Sequence, residues 1–175
     1  LNEMKKNENI VVLIGDVGFG VFDKLKSEFP ERVINPGSSE QLIVGMAVGL
    51  SLEGKIPIIY SITPFILYRP FEFIRNYVNH EKIPVKIVGS GRDKDYGAAG
   101  FTHYANDDIE IMQNFENIVL LKPENIDEEI IKDFMDLCMN RYYITDYPQI
   151  TKSDNITRGY DDKQSIHFQF KTNKP

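Results

Sequence analysis

Asn35-Pro36-Gly37-Ser38-Ser39-Glu40-Gln41 runs directly into Leu42-Ile43-Val44-Gly45-Met46-Ala47-Val48-Gly49-Leu50. The first half carries turn chemistry and the second half is almost wholly apolar. Ser38 is placed to cap a helix, with Gln41 three residues on completing a capping box. The helix then runs to about Leu52 and stops at Gly54. Gly45, Ala47 and Gly49 let it approach a neighbour closely. Glu40 falls in its first turn. A carboxylate on the threshold of a buried helix is costly unless something pairs with it.

The segments on either side predict the fold. Ile10 to Ile14 is a continuous apolar run ended by Gly15-Asp16, as expected of a parallel strand buried on both faces. Phe22 to Phe29 reads as a short amphipathic helix closed by Pro30, and Arg32 to Ile34 as a brief strand. Ile56 to Tyr60 and Pro84 to Val88 are further strands. Between them, Pro70 opens a helix with Phe71, Ile74, Tyr77 and Val78 on one stripe. A Gly-rich loop spans Gly89 to Asn106, and Asp107-Asp108 opens a helix through Met112. Ile118 to Leu121 is a strand, and Asp127 to Met139 a helix with Ile130, Ile131, Phe134 and Leu137 facing inward.

Strands alternating with helices at this spacing predict an α/β fold of three layers: a mostly parallel sheet with helices on both faces. Residues 1–140 form the expected domain. Residues 141–175 are a polar tail in which Ser165 to Phe170 alternates like a half-exposed strand. That tail is expected to add an edge strand, to dock on a partner or to be disordered.

Composition narrows the function. The chain has 175 residues, 42% of them hydrophobic, which suits one domain or one domain with a tail. A net charge of −6, with scattered basic residues, argues against nucleic acid as a partner. No apolar run has the length of a membrane span, no secretory segment opens the chain, and the single cysteine cannot form an internal disulfide, so a cytoplasmic location is expected. The first residue is Leu, which suggests a trimmed start. The single cysteine, Cys138, reads as core packing, and three widely spaced histidines predict no metal site.

A parallel sheet presents ligand-binding residues at the carboxyl ends of its strands. The loops there carry Asp16, Glu40, the aromatic stretch Thr63-Pro-Phe-Ile-Leu-Tyr-Arg-Pro-Phe71, and His103. Each has two readings. Glu40 is either a carboxylate settled on a helix dipole or one that exchanges a proton with a ligand. Phe65, Tyr68 and Phe71 either pack in the core or form a platform for a flat heterocycle. Asp16 either caps the next helix or contacts a ligand. His103 is either a turn histidine or a donor to a substrate oxygen.

Taken in order, five pieces resemble the pyrimidine-binding domain of the transketolase group of thiamine diphosphate enzymes, which includes 1-deoxyxylulose-5-phosphate synthase. They are Arg32 to Gln41, Gly45 to Gly54, the aromatic stretch through Arg75, Pro84 to Gly89, and Gly100-Phe-Thr-His103. The resemblance covers roughly residues 10 to 130. It implies that Glu40 hydrogen-bonds a ring nitrogen of the cofactor's aminopyrimidine and so promotes loss of the thiazolium proton. It implies that Phe65 stacks on that ring with Tyr68 nearby, that Asp16 lies close to the cofactor, and that His103 contacts substrate oxygens.

The departures from the family are also informative. Ala98-Ala99 stands where the family commonly has an acidic residue before Gly-x-Thr-His. Gly89-Ser-Gly91 replaces a histidine, and Asp16 to Gly20 lacks the serine that helps to hold a sugar phosphate. These point to an acceptor other than an ordinary pentose phosphate, or to a weakened site. The Gly-Asp-Gly motif that binds the diphosphate through Mg²⁺ is absent. The resemblance therefore implies a split subunit whose partner chain holds Mg²⁺ and the diphosphate, in a heterotetramer of two copies of each. The implied reaction is transfer of a two-carbon ketol unit between sugar-like substrates. The alternatives are a subunit of a 2-oxo-acid decarboxylase or 1-deoxyketose synthase, and a non-catalytic regulatory subunit.

Overall fold

The computed structural model describes residues 1–121, Lys132, Phe134 and Met135 in full, and the backbone of three later strands, 141–145, 157–160 and 166–169. Helix α1 (Asn2–Lys6) precedes strand β1 (Ile10–Ile14), followed by α2 (Asp23–Glu28), β2 (Val33–Ile34), α3 (Glu40–Leu52) and β3 (Ile56–Ile62). Next come α4 (Thr63–Tyr68), α5 (Phe71–Phe73), β4 (Lys86–Ser90), α6 (Asp108–Met112) and β5 (Ile118–Leu121). The later strands are β6 (Arg141–Thr145), β7 (Thr157–Tyr160) and β8 (Ile166–Gln169).

The main sheet has six strands in the order β2-β1-β3-β4-β6-β5, and every pairing in it is parallel. All five residues of β1 are buried, because the sheet is covered on both faces. Alternation divides them. Val11 and Leu13 join Ile43, Val44, Ile59, Ile66 and Ile87 in one core, beneath α3 and α4. Ile10, Val12 and Ile14 join Met4 and Val33 in the other, against Phe22, Leu25 and Phe29. This is the expected three-layer α/β arrangement.

Several elements differ from the sequence reading. The cap of α3 is Ser39 rather than Ser38, and its side chain makes no capping bond, so the predicted capping box does not form. Gly45 does approach a neighbour closely: a Cβ there would lie 3.3 Å from the Phe73 ring. Gly49 faces open space. The aromatic stretch read as a loop is helix α4, with Pro64 in its first turn where a missing amide hydrogen costs nothing. The helix expected from Pro70 begins as α5 and continues as a π-helix over Ile74–His80, which buries Ile74 and Val78.

Composition set a boundary after residue 140, yet β6 pairs with both β4 and β5 inside the main sheet. β7 and β8 pair antiparallel in a separate two-stranded sheet, with β8 at the position of the alternating segment. Most of the helix expected over Asp127 to Met139 lies outside the described residues, as does Cys138. Among the described residues, no helix is long and apolar enough to cross a membrane.

Candidate active site

The carboxyl end of β1, the start of α3 and helix α4 meet at a cleft of about 1070 Å³. Its lining includes Asp16, Glu40, Phe65, Arg69, Phe73 and His103. The topology thus gathers Asp16, Glu40, Phe65 and His103, as the loop positions predicted.

Glu40 is 1% exposed. Helical spacing explains this, because Glu40 opens the same buried stripe as Ile43, Val44, Ala47 and Val48. Its two oxygens have separate partners. The Ser61 hydroxyl, from β3, donates to Oε1 at 2.9 Å. Arg69, at the end of α4, donates from Nη1 to Oε2 at 2.6 Å. The helix amides and dipole at the start of α3 add to this stabilisation.

Ser61 depends in turn on Gly15. A Cβ on Gly15 would stand 2.6 Å from the Ser61 Oγ, so only glycine at the end of β1 leaves room for that hydroxyl. The Gly15 amide also donates to the Tyr60 carbonyl at 2.8 Å.

The guanidinium of Arg69 lies 4.0 Å from the centroid of the Phe65 ring. The His103 ring meets Phe65 edge-on at 4.8 Å between centroids. Thr102 Oγ1 is 3.0 Å from His103 Nδ1. Nε2 makes no hydrogen bond among the described residues. Asp16 is held in the left-handed region at φ 54° and accepts from Asn35 Nδ2 at 3.0 Å. Asn35 Oδ1 accepts from the Gly37 amide at 2.9 Å, which fixes the turn leading into α3. Asp16 does not cap α2, whose cap position is Phe22.

Tyr68 does not line the cleft. Its hydroxyl donates to Asp107 Oδ1 at 2.5 Å, at the start of α6. Burial, then the Asp107 hydrogen bond and charge, hold its ionisation well above the usual tyrosine range. Phe71 packs at 5.5 Å against Phe115. Ala98 and Ala99 lie in a short exposed turn ahead of Gly100.

Sequence reading missed Ser61, Arg69 and the role of Gly15. A signal for Arg69 existed. Phe65 and Arg69 are four residues apart, which stacks them on one face of a helix, but a stretch read as a loop gives that spacing no meaning. For Ser61 no local signal exists, since it is one polar residue at the end of a strand.

Comparison with known proteins agrees with this geometry. The family described as "Transketolase, pyrimidine binding domain" matches residues 1–129. A putative transketolase C-terminal section from Methanocaldococcus jannaschii is 41% identical over 120 residues, which is 68% of this chain and 38% of that protein. An apulose-4-phosphate transketolase subunit from Actinobacillus succinogenes is 37% identical over 101 residues, 58% of this chain and 32% of that one. A solved structure described as a split gene transketolase, inactive β4 tetramer, superposes with a TM-score of 0.69 at 29% identity, covering 86% of this chain and 50% of that chain. The chain therefore spans half the length, or less, of these relatives. With the family match running from the first residue through β5, and Asp16, Glu40, Phe65 and His103 lining one cleft, the chain belongs to the transketolase pyrimidine-binding domain family.

Proposed function

We propose that this chain is the pyrimidine-binding subunit of a two-component, thiamine diphosphate-dependent transketolase-like enzyme. It transfers a two-carbon ketol unit between sugar-like substrates. The observation that carries this reading is a fully buried carboxylate at a helix start, opening onto a cleft beside an aromatic ring. The residues fit the cofactor's aminopyrimidine. A planar nitrogen-bearing group, the Arg69 guanidinium, already lies over Phe65 and donates to Glu40.

Thiamine diphosphate, when bound, supplies the carbanion chemistry of ketol transfer. This chain's residues supply position and proton control. Glu40 accepts from, or shares a proton with, a ring nitrogen, and burial makes that bond strong and costly to leave unmade. Phe65 offers a stacking face. Ser61 fixes the carboxylate's orientation through Oε1. His103 Nε2 is available to hydrogen-bond a substrate oxygen. Asp16 lies at the cleft rim on a turn held by Asn35.

A partner chain supplies Mg²⁺ and the diphosphate site, in a heterotetramer of two copies of each chain. The relative named as an apulose-4-phosphate transketolase subunit supports a ketose phosphate as the substrate class. The relative named as an inactive β4 tetramer supports a requirement for a second chain type.

The test is reconstitution with a diphosphate-binding partner. Ketose donors should support two-carbon transfer to an aldose acceptor, and pyruvate should not. Turnover with pyruvate and no ketose activity would overturn the ketol-transfer assignment.

A further inference from the structure

We infer that the Arg69 guanidinium occupies the aminopyrimidine's place in the free chain, so that the ring enters by displacing it. This rests on the cofactor reading of the cleft. Both groups that would recognise the ring are engaged by one side chain. Arg69 Nη1 lies 2.6 Å from Glu40 Oε2, and the same guanidinium carbon lies 4.0 Å from the Phe65 centroid. Ser61 holds the other carboxylate oxygen. A guanidinium and an aminopyrimidine share the features that matter: both are flat, delocalised, and rich in nitrogen. One face of Phe65 beside one Glu40 oxygen has room for a single such group.

The geometry also allows the exchange. Arg69 is the cap residue at the end of α4, and its side chain is 46% exposed, so it lies along the cleft wall with water on one side. Its backbone amide donates to the Phe65 carbonyl at 3.3 Å, and rotation of the side chain leaves that bond intact. Among the described residues, the side chain has no salt bridge other than that to Glu40. A departing guanidinium is replaced at Oε2 by the ring's nitrogen, with one proton shared between that nitrogen and the carboxylate. The carboxylate, 1% exposed, is thus never left buried without a donor, which is the costly state.

The consequence is an internal competitor. Affinity for the ring is reduced by the fraction of molecules in which Arg69 is docked. A free subunit would hold its catalytic carboxylate paired until cofactor arrives, rather than presenting a buried charge.

The experiment uses the full chain, isotopically labelled, titrated with thiamine, which lacks the diphosphate and so reports on this cleft alone. The Arg69 Nε–Hε resonance should start at a ring-shifted position and move to that of free arginine as thiamine saturates the site. Arg69→Met should bind thiamine about tenfold more tightly, as expected if about a tenth of free molecules have the guanidinium undocked. An Arg69 resonance that stays in place while the Glu40 carboxyl signal shifts would overturn the displacement. So would an Arg69→Met chain, folded by circular dichroism, that binds thiamine no more tightly. If that variant does not fold, the resonance of the unaltered chain decides. If thiamine moves neither the Glu40 nor the Phe65 signals, the cofactor reading itself fails and the displacement fails with it.

Discussion

Glu40 and His103 line the same cleft but are held in different ways. Glu40 is locked by three elements. It sits on the buried stripe of α3, its Oε1 accepts from β3, and its Oε2 accepts from the end of α4. His103 sits in a short turn of a glycine-rich loop, with a bond to its neighbour Thr102 and an edge contact to Phe65. The Glu40 carboxylate and its Ser61 bond are built into the core and cannot shift without disturbing the sheet, whereas its Oε2 partner comes from a half-exposed side chain. His103 belongs to a loop that can be rebuilt without touching the core. On the proposed function, cofactor handling falls to the rigid part of the fold and substrate handling to the adaptable part. Departures from the family at Ala98-Ala99 fall on the adaptable side.

Substitution can break this contrast at both ends. The largest effect is expected from Glu40→Gln, which keeps shape and hydrogen-bonding capacity but removes the charge. Turnover of the reconstituted enzyme should fall by about 10²–10⁴-fold, the usual span for a lost proton-transfer group, while circular dichroism is unchanged. Near-normal turnover would remove Glu40 from the mechanism. His103→Asn should lower kcat/KM by about 10²-fold, at the low end of that span. Its unfolding midpoint should hold, because surface substitutions usually change stability within about 0.5 kcal/mol. A large loss of stability would mean that His103 is structural.

Gly15→Ala sharpens the rigid side. The added methyl meets the Ser61 hydroxyl at 2.6 Å and must displace it. Denaturant unfolding should show a loss of about 1–3 kcal/mol, typical of overpacking, together with weaker cofactor binding. Unchanged stability and binding would show that Ser61 has no part in holding Glu40.

The smallest effect concerns Tyr68. Tyr68→Phe removes one hydrogen bond to Asp107 and should cost about 0.5–1.5 kcal/mol near neutral pH. The folded state raises the ionisation of Tyr68 through burial and Asp107. The native chain therefore holds that proton more tightly than the unfolded chain. The associated stability is fully present below about pH 10, the usual tyrosine value, and is lost as pH rises through the higher folded value. Thermal melts should show a decline above about pH 10 that is smaller in Tyr68→Phe. Superimposable alkaline profiles would mean that the proton on Tyr68 contributes nothing to folding.

Much of the framework was legible because its signals are local. The apolar run Ile10 to Ile14 marked a buried parallel strand, and β1 is buried throughout. Turn residues and glycines bracketed α3 closely enough to place Glu40 at its start. What escaped was helical identity in the aromatic stretch. Thr63 to Tyr68 reads as a loop, although Pro64 in a first helical turn is compatible with a helix. Missing α4 meant missing the relation between Phe65 and Arg69. Composition likewise set Arg141 to Thr145 apart as tail, whereas pairing with β4 and β5 places it inside the sheet. Backbone hydrogen bonding, which composition does not record, made that decision.

Near-neighbour patterns along the chain already specify the alternation of strands and helices, the carboxylate at the start of an apolar helix, and the ordered pieces that mark the family. Periodicity and turn chemistry act between near neighbours, so one chain suffices to read them. What Glu40 pairs with depends instead on long-range packing. Its partners, Ser61 and Arg69, are 21 and 29 residues away. They reach it because parallel strand pairing brings the ends of β1 and β3 together, and because Gly15 leaves room for one hydroxyl.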